Sequence, residues 1–149
     1  MNPKRPVLYL DIDGVLQYAD GNRWKPRLEA EQFLRWAVER FDCRWLTSWI
    51  NPNQAVPKEL GIAVPGGIEE VRWRQVNSGA RYPYKAAAIR DDEPWSWLED
   101  DPSEFDLADL KRRGKQSNLI LVDPRKPYIL LNQICPRLEE RRRHHEMGL

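Results

Sequence analysis

The stretch Val7-Leu8-Tyr9-Leu10-Asp11-Ile12-Asp13-Gly14-Val15-Leu16 runs four large apolar residues into two aspartates one residue apart, then glycine, then apolar residues again. An uninterrupted apolar run of this length suits a strand buried on both faces. Side chains alternate along a strand, so Asp11 and Asp13 point to one side and Ile12 to the other, while Gly14 lets the chain turn sharply. Two carboxylates therefore converge at a strand's carboxyl end. In an open parallel sheet ligands bind at that edge, and like charges held so close are costly unless a cation or a shared proton relieves them. A turn closing a β-hairpin is the plainer alternative.

The frame around this stretch is that of one domain spanning residues 1–149, large enough for a real core. Lys and Arg number 24 against 23 Asp and Glu, so net charge selects no class of partner. Seven Trp bring large buried area and N–H groups that need acceptors, and some of them are candidates to line a site. Cys43 and Cys135 form no C-x-x-C and no secretory framework, which points to a reduced cytoplasmic setting without a disulfide. The aspartates interrupt the N-terminal apolar run too early for a signal peptide, and no run is long enough to span a membrane.

Further along, Gln17 to Lys25 reads as a polar loop over the carboxylates, with Tyr18 and Trp24 placed to touch substrate. A helix is predicted from Pro26 to about Phe41, with Ala30, Leu34, Ala37, Val38 and Phe41 as its apolar stripe and Trp36 partly exposed. Cys43 to Trp49 reads as a second strand ending in Thr47 and Ser48, completing a strand, helix, strand crossover. Asn51 to Leu60 is a short helix stopped by Gly61, and Ile62-Ala63-Val64 a short strand. Between Glu69 and Tyr84, alternation at Val71, Trp73 and Gln75 suggests a strand or an irregular flap. Arg72, Trp73, Arg74, Arg81, Tyr82 and Tyr84 interleave cations with rings, as nucleic-acid surfaces do; a solvated edge with structural rings has the same pattern.

Lys85 opens the helix-forming run Lys85-Ala86-Ala87-Ala88-Ile89-Arg90, where the helix dipole disfavours a cation, so an anionic group is expected to face it. Pro94 to Leu98 reads as a strand followed by Glu99-Asp100-Asp101, and this acidic triplet could equally be a helix-capping loop. A short helix around Leu107 and Leu110 closes at Gly114, Leu119 to Val122 forms the last core strand, and a final helix starts at Asn132 or Pro136. Its run Arg141-Arg142-Arg143 reads as a fraying, solvated end. Asp11, Asp13, Thr47, Lys85, Glu99 and Asp100 thus gather at one sheet edge, and together they suit phosphoryl transfer: a carboxylate nucleophile, an acid for the leaving oxygen, a hydroxyl and a lysine for the phosphoryl oxygens. Acids from two strands can share Mg2+, which prefers oxygen ligands.

In this order and spacing the residues resemble the haloacid dehalogenase (HAD) superfamily of phosphatases. Asp11-Ile12-Asp13-Gly14-Val15-Leu16 is similar to its first motif, Thr47 to its second, Lys85 to its third and Glu99-Asp100 to its fourth. The resemblance implies an α/β fold, a Rossmann-like three-layer α/β/α sandwich around a mainly parallel sheet. It implies Asp11 as nucleophile and magnesium ligand, and Asp13 as general acid/base that also gives the metal its backbone carbonyl. Thr47 and Lys85 would hold the phosphoryl group, and Glu99 with Asp100 would complete the metal site. The family usually has aspartate at the position of Glu99, so Asp100-Asp101 is an alternative pairing, as Ser48 is to Thr47. Neither interval where family members insert a cap domain has room for one here. Small capless HAD domains of RNA-repair polypeptides look similar. The expectation is a magnesium-dependent phosphomonoester hydrolase; its expected substrate is a phosphate on a nucleic-acid end, bound with help from Tyr18, Trp24, Arg72 and Arg74, and a protein or small-metabolite phosphate is the alternative. A module that binds phosphate-bearing partners without turnover is the rival expectation.

Overall fold

A computed structural model describes residues 4–76, 79 and 81–146; Met1–Pro3 of the polar start and Asn77, Ser78 and Ala80 of the Glu69–Tyr84 segment lie outside the described residues. Its centre is β1 (Val7–Leu10), every residue of which is buried. Parallel neighbours flank it on both sides: β4 (Asp42–Trp45), with Leu10 opposite Trp45, and β6 (Trp95–Glu99), with Leu10 opposite Leu98. Outer strands β5 (Glu69–Glu70) and β7 (Leu119–Leu121) complete a five-stranded parallel sheet in the order β5-β4-β1-β6-β7. The chain builds outward from β1 on one side, then crosses back to build on the other. The order therefore reverses at β1, and in a Rossmann-like α/β sheet of this kind that reversal opens a crevice at the strands' carboxyl ends.

Alternation along β1 divides the core. Leu8 and Leu10 pack with Phe33, Leu34 and Ala37 of α1 (Ala30–Arg40), Val56 of α2 (Pro52–Leu60) and Leu138 of α5 (Cys135–Glu146). Val7 and Tyr9 face the other way, onto Trp95, Trp97, Trp73 of α3 (Trp73–Val76) and Leu110 of α4 (Glu104–Arg113). Apolar side chains on both faces are what a strand covered on both sides requires. Among the described residues no helix is long and apolar enough to cross a membrane.

Several local expectations change. Gln17 to Lys25 is not a loop but an antiparallel hairpin, β2 (Gln17–Asp20) with β3 (Arg23–Pro26). Pro26 pairs with Gln17 in it, and the Arg27 N–H donates to the Leu16 carbonyl, so the first helix starts later than predicted, at Ala30. Phe33 replaces Val38 among its fully buried residues. Strand β4 ends at Trp45, leaving Thr47 and Ser48 beyond it, and Ile62–Val64 joins no sheet, Glu69–Glu70 taking the edge position instead. Trp73–Val76 is a helical turn, not a strand.

The run opened by Lys85 is only a 3-10 turn, Lys85–Ala88. Arg113 takes carbonyls that a longer helix would use, donating to those of Ala86 at 3.0 Å and Ile89 at 2.8 Å, while Asp106 accepts from the first-turn Ala86 N–H at 2.7 Å. The final helix is preceded by a π-turn, Leu130–Ile134, and continues to Glu146. Its arginine run is not frayed: Arg141 donates to Ser96 Oγ at 2.8 Å, and Arg142 pairs with Glu139 and Glu146. Cys43 and Cys135 are free and buried, and burial pushes both thiols up to about 12.

Candidate active site at the sheet's carboxyl edge

Asp11 follows β1 directly, where the strand order reverses, and Glu99 is the last residue of the neighbouring β6. Both are buried. The Lys85 ammonium bridges them, 2.9 Å from Asp11 Oδ2 and 2.6 Å from Glu99 Oε1. These carboxylates are the anionic groups expected to face Lys85. Asp100 adds a third acid: one oxygen each from Asp11, Glu99 and Asp100 lie within 4.8 Å of one another. The remaining Glu99 oxygen accepts from the backbone N–H groups of Asp100 at 3.0 Å and Asp101 at 3.3 Å, which folds the loop back over the strand end. Asp101 is exposed and outside this group, so the geometry unites Glu99 with Asp100 rather than Asp100 with Asp101.

Three acids against one ammonium leave an excess of negative charge in a buried place. Burial, and then the charge of Glu99, push the Asp11 carboxyl from 3.8 up to about 6, although Lys85 pulls it back. Burial is also the main cause that raises Glu99 and Asp100. For Lys85 burial acts downward, yet Asp11 and Glu99 together outweigh it and hold the ammonium above its ordinary value. A hard divalent cation fits this donor set: all three groups offer carboxylate oxygens, and a second positive charge relieves the strain that raises Asp11.

Gly14 makes room for the third acid. Its φ is +82°, and a Cβ placed on it would lie 2.1 Å from Asp100 Cγ. Only glycine adopts this backbone freely and leaves the space.

Asp13 does not join the carboxylate group through its side chain. Its Oδ1 accepts from Gln17 Nε2 at 2.8 Å and its Oδ2 from Trp49 Nε1 at 3.3 Å. Thr47 is buried, with Oγ1 accepting the Trp49 backbone N–H at 3.2 Å and its carbonyl accepting Trp73 Nε1 at 2.9 Å; Ser48 is exposed. Tryptophan N–H groups thus do reach the site, as donors to Asp13 and to the Thr47 carbonyl. Thr47 and Trp49 open onto a groove of about 260 Å3 that runs past Ile50 to Arg72, Trp73 and Arg74. Trp73 is buried there, and the Arg74 guanidinium stacks on its ring at 4.6 Å. Tyr18 and Trp24 stand on the β2–β3 hairpin, Tyr18 half-buried and Trp24 exposed.

Four positioning residues went unrecognised in the sequence. Arg27, buried after the hairpin, donates to the carbonyls of Val15 at 2.8 Å, Gly14 at 2.9 Å, Asp123 at 3.2 Å and Lys126, tying the turn after Asp13 to the loop after β7. Glu29 accepts from the N–H groups of Ile129, Leu130 and Leu131 and so anchors the start of the last helical segment. Asp106 closes a capping box with Ser103 and at the same time holds the Lys85 turn, which Arg113 holds from its carbonyl side. The Ser103-x-x-Asp106 spacing was the one local signal available, as a capping box. The others are long-range contacts that no spacing announces.

No family model, curated protein or solved structure matches the chain.

Proposed function

We propose that this chain is a magnesium-dependent phosphomonoester hydrolase of the HAD type, working through an aspartyl-phosphate on Asp11. The observation that carries the reading is the buried contact of Lys85 with Asp11 and Glu99, with Asp100 alongside, at the point where the strand order reverses. Asp11, Glu99, Asp100 and the backbone carbonyl of Asp13 would hold the metal, and the chemistry it supplies when bound is charge neutralisation at the phosphoryl oxygens. In the first step an Asp11 oxygen attacks phosphorus. The bond from phosphorus to the ester oxygen breaks, its electron pair stays on the leaving oxygen, and Asp13 gives that oxygen a proton. In the second step water attacks phosphorus while Asp13 takes its proton; the acyl-phosphate P–O bond breaks, releasing inorganic phosphate and restoring the Asp11 carboxylate. Lys85 and the Thr47 hydroxyl hold the phosphoryl oxygens throughout.

Hydrolysis of p-nitrophenyl phosphate with magnesium, with chelator and in Asp11→Asn tests this directly. Turnover is expected only in the first condition; full turnover in chelator or in Asp11→Asn overturns the mechanism. Phosphate binding without turnover in the native chain would favour a binding module instead.

The substrate we propose is a terminal phosphate on a nucleic-acid strand. The groove leading away from Thr47 supports this, because Arg72 and Arg74 in its wall are exposed and form no ion pair with the described residues, though Glu70 also lines it. Arginines there suit a second backbone phosphate; the hairpin pairs Tyr18 with Lys25 and Ala19 with Trp24, so Tyr18 and Trp24 stand on opposite faces and one ring, not both as expected, is offered to a base. Catalytic efficiency on phosphate-terminated oligonucleotides, phosphopeptides and mononucleotides, compared at two salt concentrations, decides it. No advantage for the oligonucleotide, or an advantage untouched by Arg72→Ala/Arg74→Ala, refutes the nucleic-acid substrate and leaves the phosphatase standing.

A further inference from the structure

Trp49 lies between the two groups that do different jobs in the reaction. Its backbone N–H donates to Thr47 Oγ1 at 3.2 Å, and its indole N–H donates to Asp13 Oδ2 at 3.3 Å. Gln17, buried at the start of β2, donates to the other Asp13 oxygen at 2.8 Å. A carboxyl group on a half-exposed turn residue is free to rotate about its last bond unless something holds both oxygens. Here two donors from separate parts of the chain, the hairpin and the segment after β4, grip one oxygen each. Each carboxylate oxygen has more than one lone-pair direction, so both can accept these bonds and still have a direction left for a proton.

Resting on the phosphatase reading above, we infer that Trp49 and Gln17 are positioning residues for proton transfer: they set the plane of the Asp13 carboxyl so that its proton reaches the leaving oxygen. Trp49 also fixes the angle between this proton and the Thr47 hydroxyl, because one residue bonds both. The hydroxyl is held through the Trp49 backbone, so replacing the indole breaks the bond to Asp13 and leaves the bond to Thr47 in place. That separation makes the inference testable without disturbing phosphoryl binding.

The test compares two substrates. p-Nitrophenyl phosphate has a leaving oxygen that departs without a proton, whereas a simple alkyl phosphate has one that must be protonated as the P–O bond breaks. Read as the rate at which the aspartyl-phosphate forms in a single turnover, Trp49→Phe and Gln17→Leu are each expected to slow the alkyl phosphate by about tenfold and, combined, by about a hundredfold, the scale of general-acid assistance. On p-nitrophenyl phosphate, the burst of nitrophenol released as the aspartyl-phosphate first forms should keep its rate within about twofold of the native value, because only the later hydrolysis of the intermediate, common to both substrates, calls on Asp13 there. Trp49 packs against the core, so the Gln17→Leu variant carries the test should Trp49→Phe fold poorly. Equal losses on both substrates in this first step, or no loss on the alkyl phosphate, overturn the positioning role while native activity keeps the phosphatase reading. A native chain inactive on both substrates overturns that reading, and this role falls with it.

Discussion

Replacing Gly14 with alanine should damage the acidic group more than the fold. At φ +82° an alanine costs about 1–2 kcal/mol of backbone strain. Its Cβ would also lie 2.1 Å from Asp100 Cγ and 2.4 Å from Asp100 Cβ. Because the Asp100 Cβ is itself too close, no rotation of that side chain clears the contact, and the loop after β6 must shift. The shift threatens the N–H bonds from Asp100 and Asp101 to Glu99, hydrogen bonds to a charged group that contribute about 1.5–3 kcal/mol each. With one of them lost, the total is about 2.5–5 kcal/mol, a fall in Tm on the order of 10 °C for a domain of this size. Magnesium affinity, measured by titration calorimetry, should drop at least about tenfold because one of three carboxylates leaves the group. Gly14→Ala/Asp100→Gly removes the clash but not the ligand's loss, so it should regain stability down to the backbone strain and still bind magnesium weakly. Native Tm and magnesium affinity in Gly14→Ala would refute the reasoning, as would a double variant no more stable than the single one.

Arg27→Leu should lower Tm by about 10 °C or more, since it leaves the carbonyls of Gly14, Val15, Asp123 and Lys126 without their donor, at about 1–3 kcal/mol for each that stays buried; a change under about 2 °C in thermal unfolding would contradict this. In chelator, the folded state holds the Asp11 proton up to about 6 against 3.8 ordinarily, so ionisation works against folding and stability is lost as pH rises from about 4 to 6. Denaturant unfolding should therefore show Asp11→Asn gaining on the native chain by up to about 3 kcal/mol across that window; a constant difference would show that Asp11 is not held up. Asp106→Ala should cut turnover while sparing magnesium affinity, because it frees the Ala86 N–H and loosens the turn carrying Lys85 without touching the acids; equal damage to both would argue for general unfolding.

What could be read from the residues alone is whatever depends on neighbours in the chain. Val7–Leu10 shows itself as a doubly buried strand because four apolar residues in a row allow little else, and Asp11, Asp13, Lys85, Glu99 and Asp100 stand out because each sits at the end of an element that its own spacing announces. The parallel α/β sheet follows from alternating strand and helix patterns, and the structure has it. The tertiary structure decided what distant segments do to one another. A helix-forming run at Lys85 became a 3-10 turn because Arg113 takes the carbonyls of Ala86 and Ile89, and a polar loop became a hairpin because its two halves found each other. Glu99 rather than Asp101 faces Asp11 because β6 pairs with β1 in a register that puts Leu98 beside Leu10, so the next residue of each strand lands at the same edge. Hydrogen bonds from Arg27 and Trp49 are invisible in sequence for the same reason: a donor's partner is chosen by proximity in space, and proximity is fixed by the packing of the whole core.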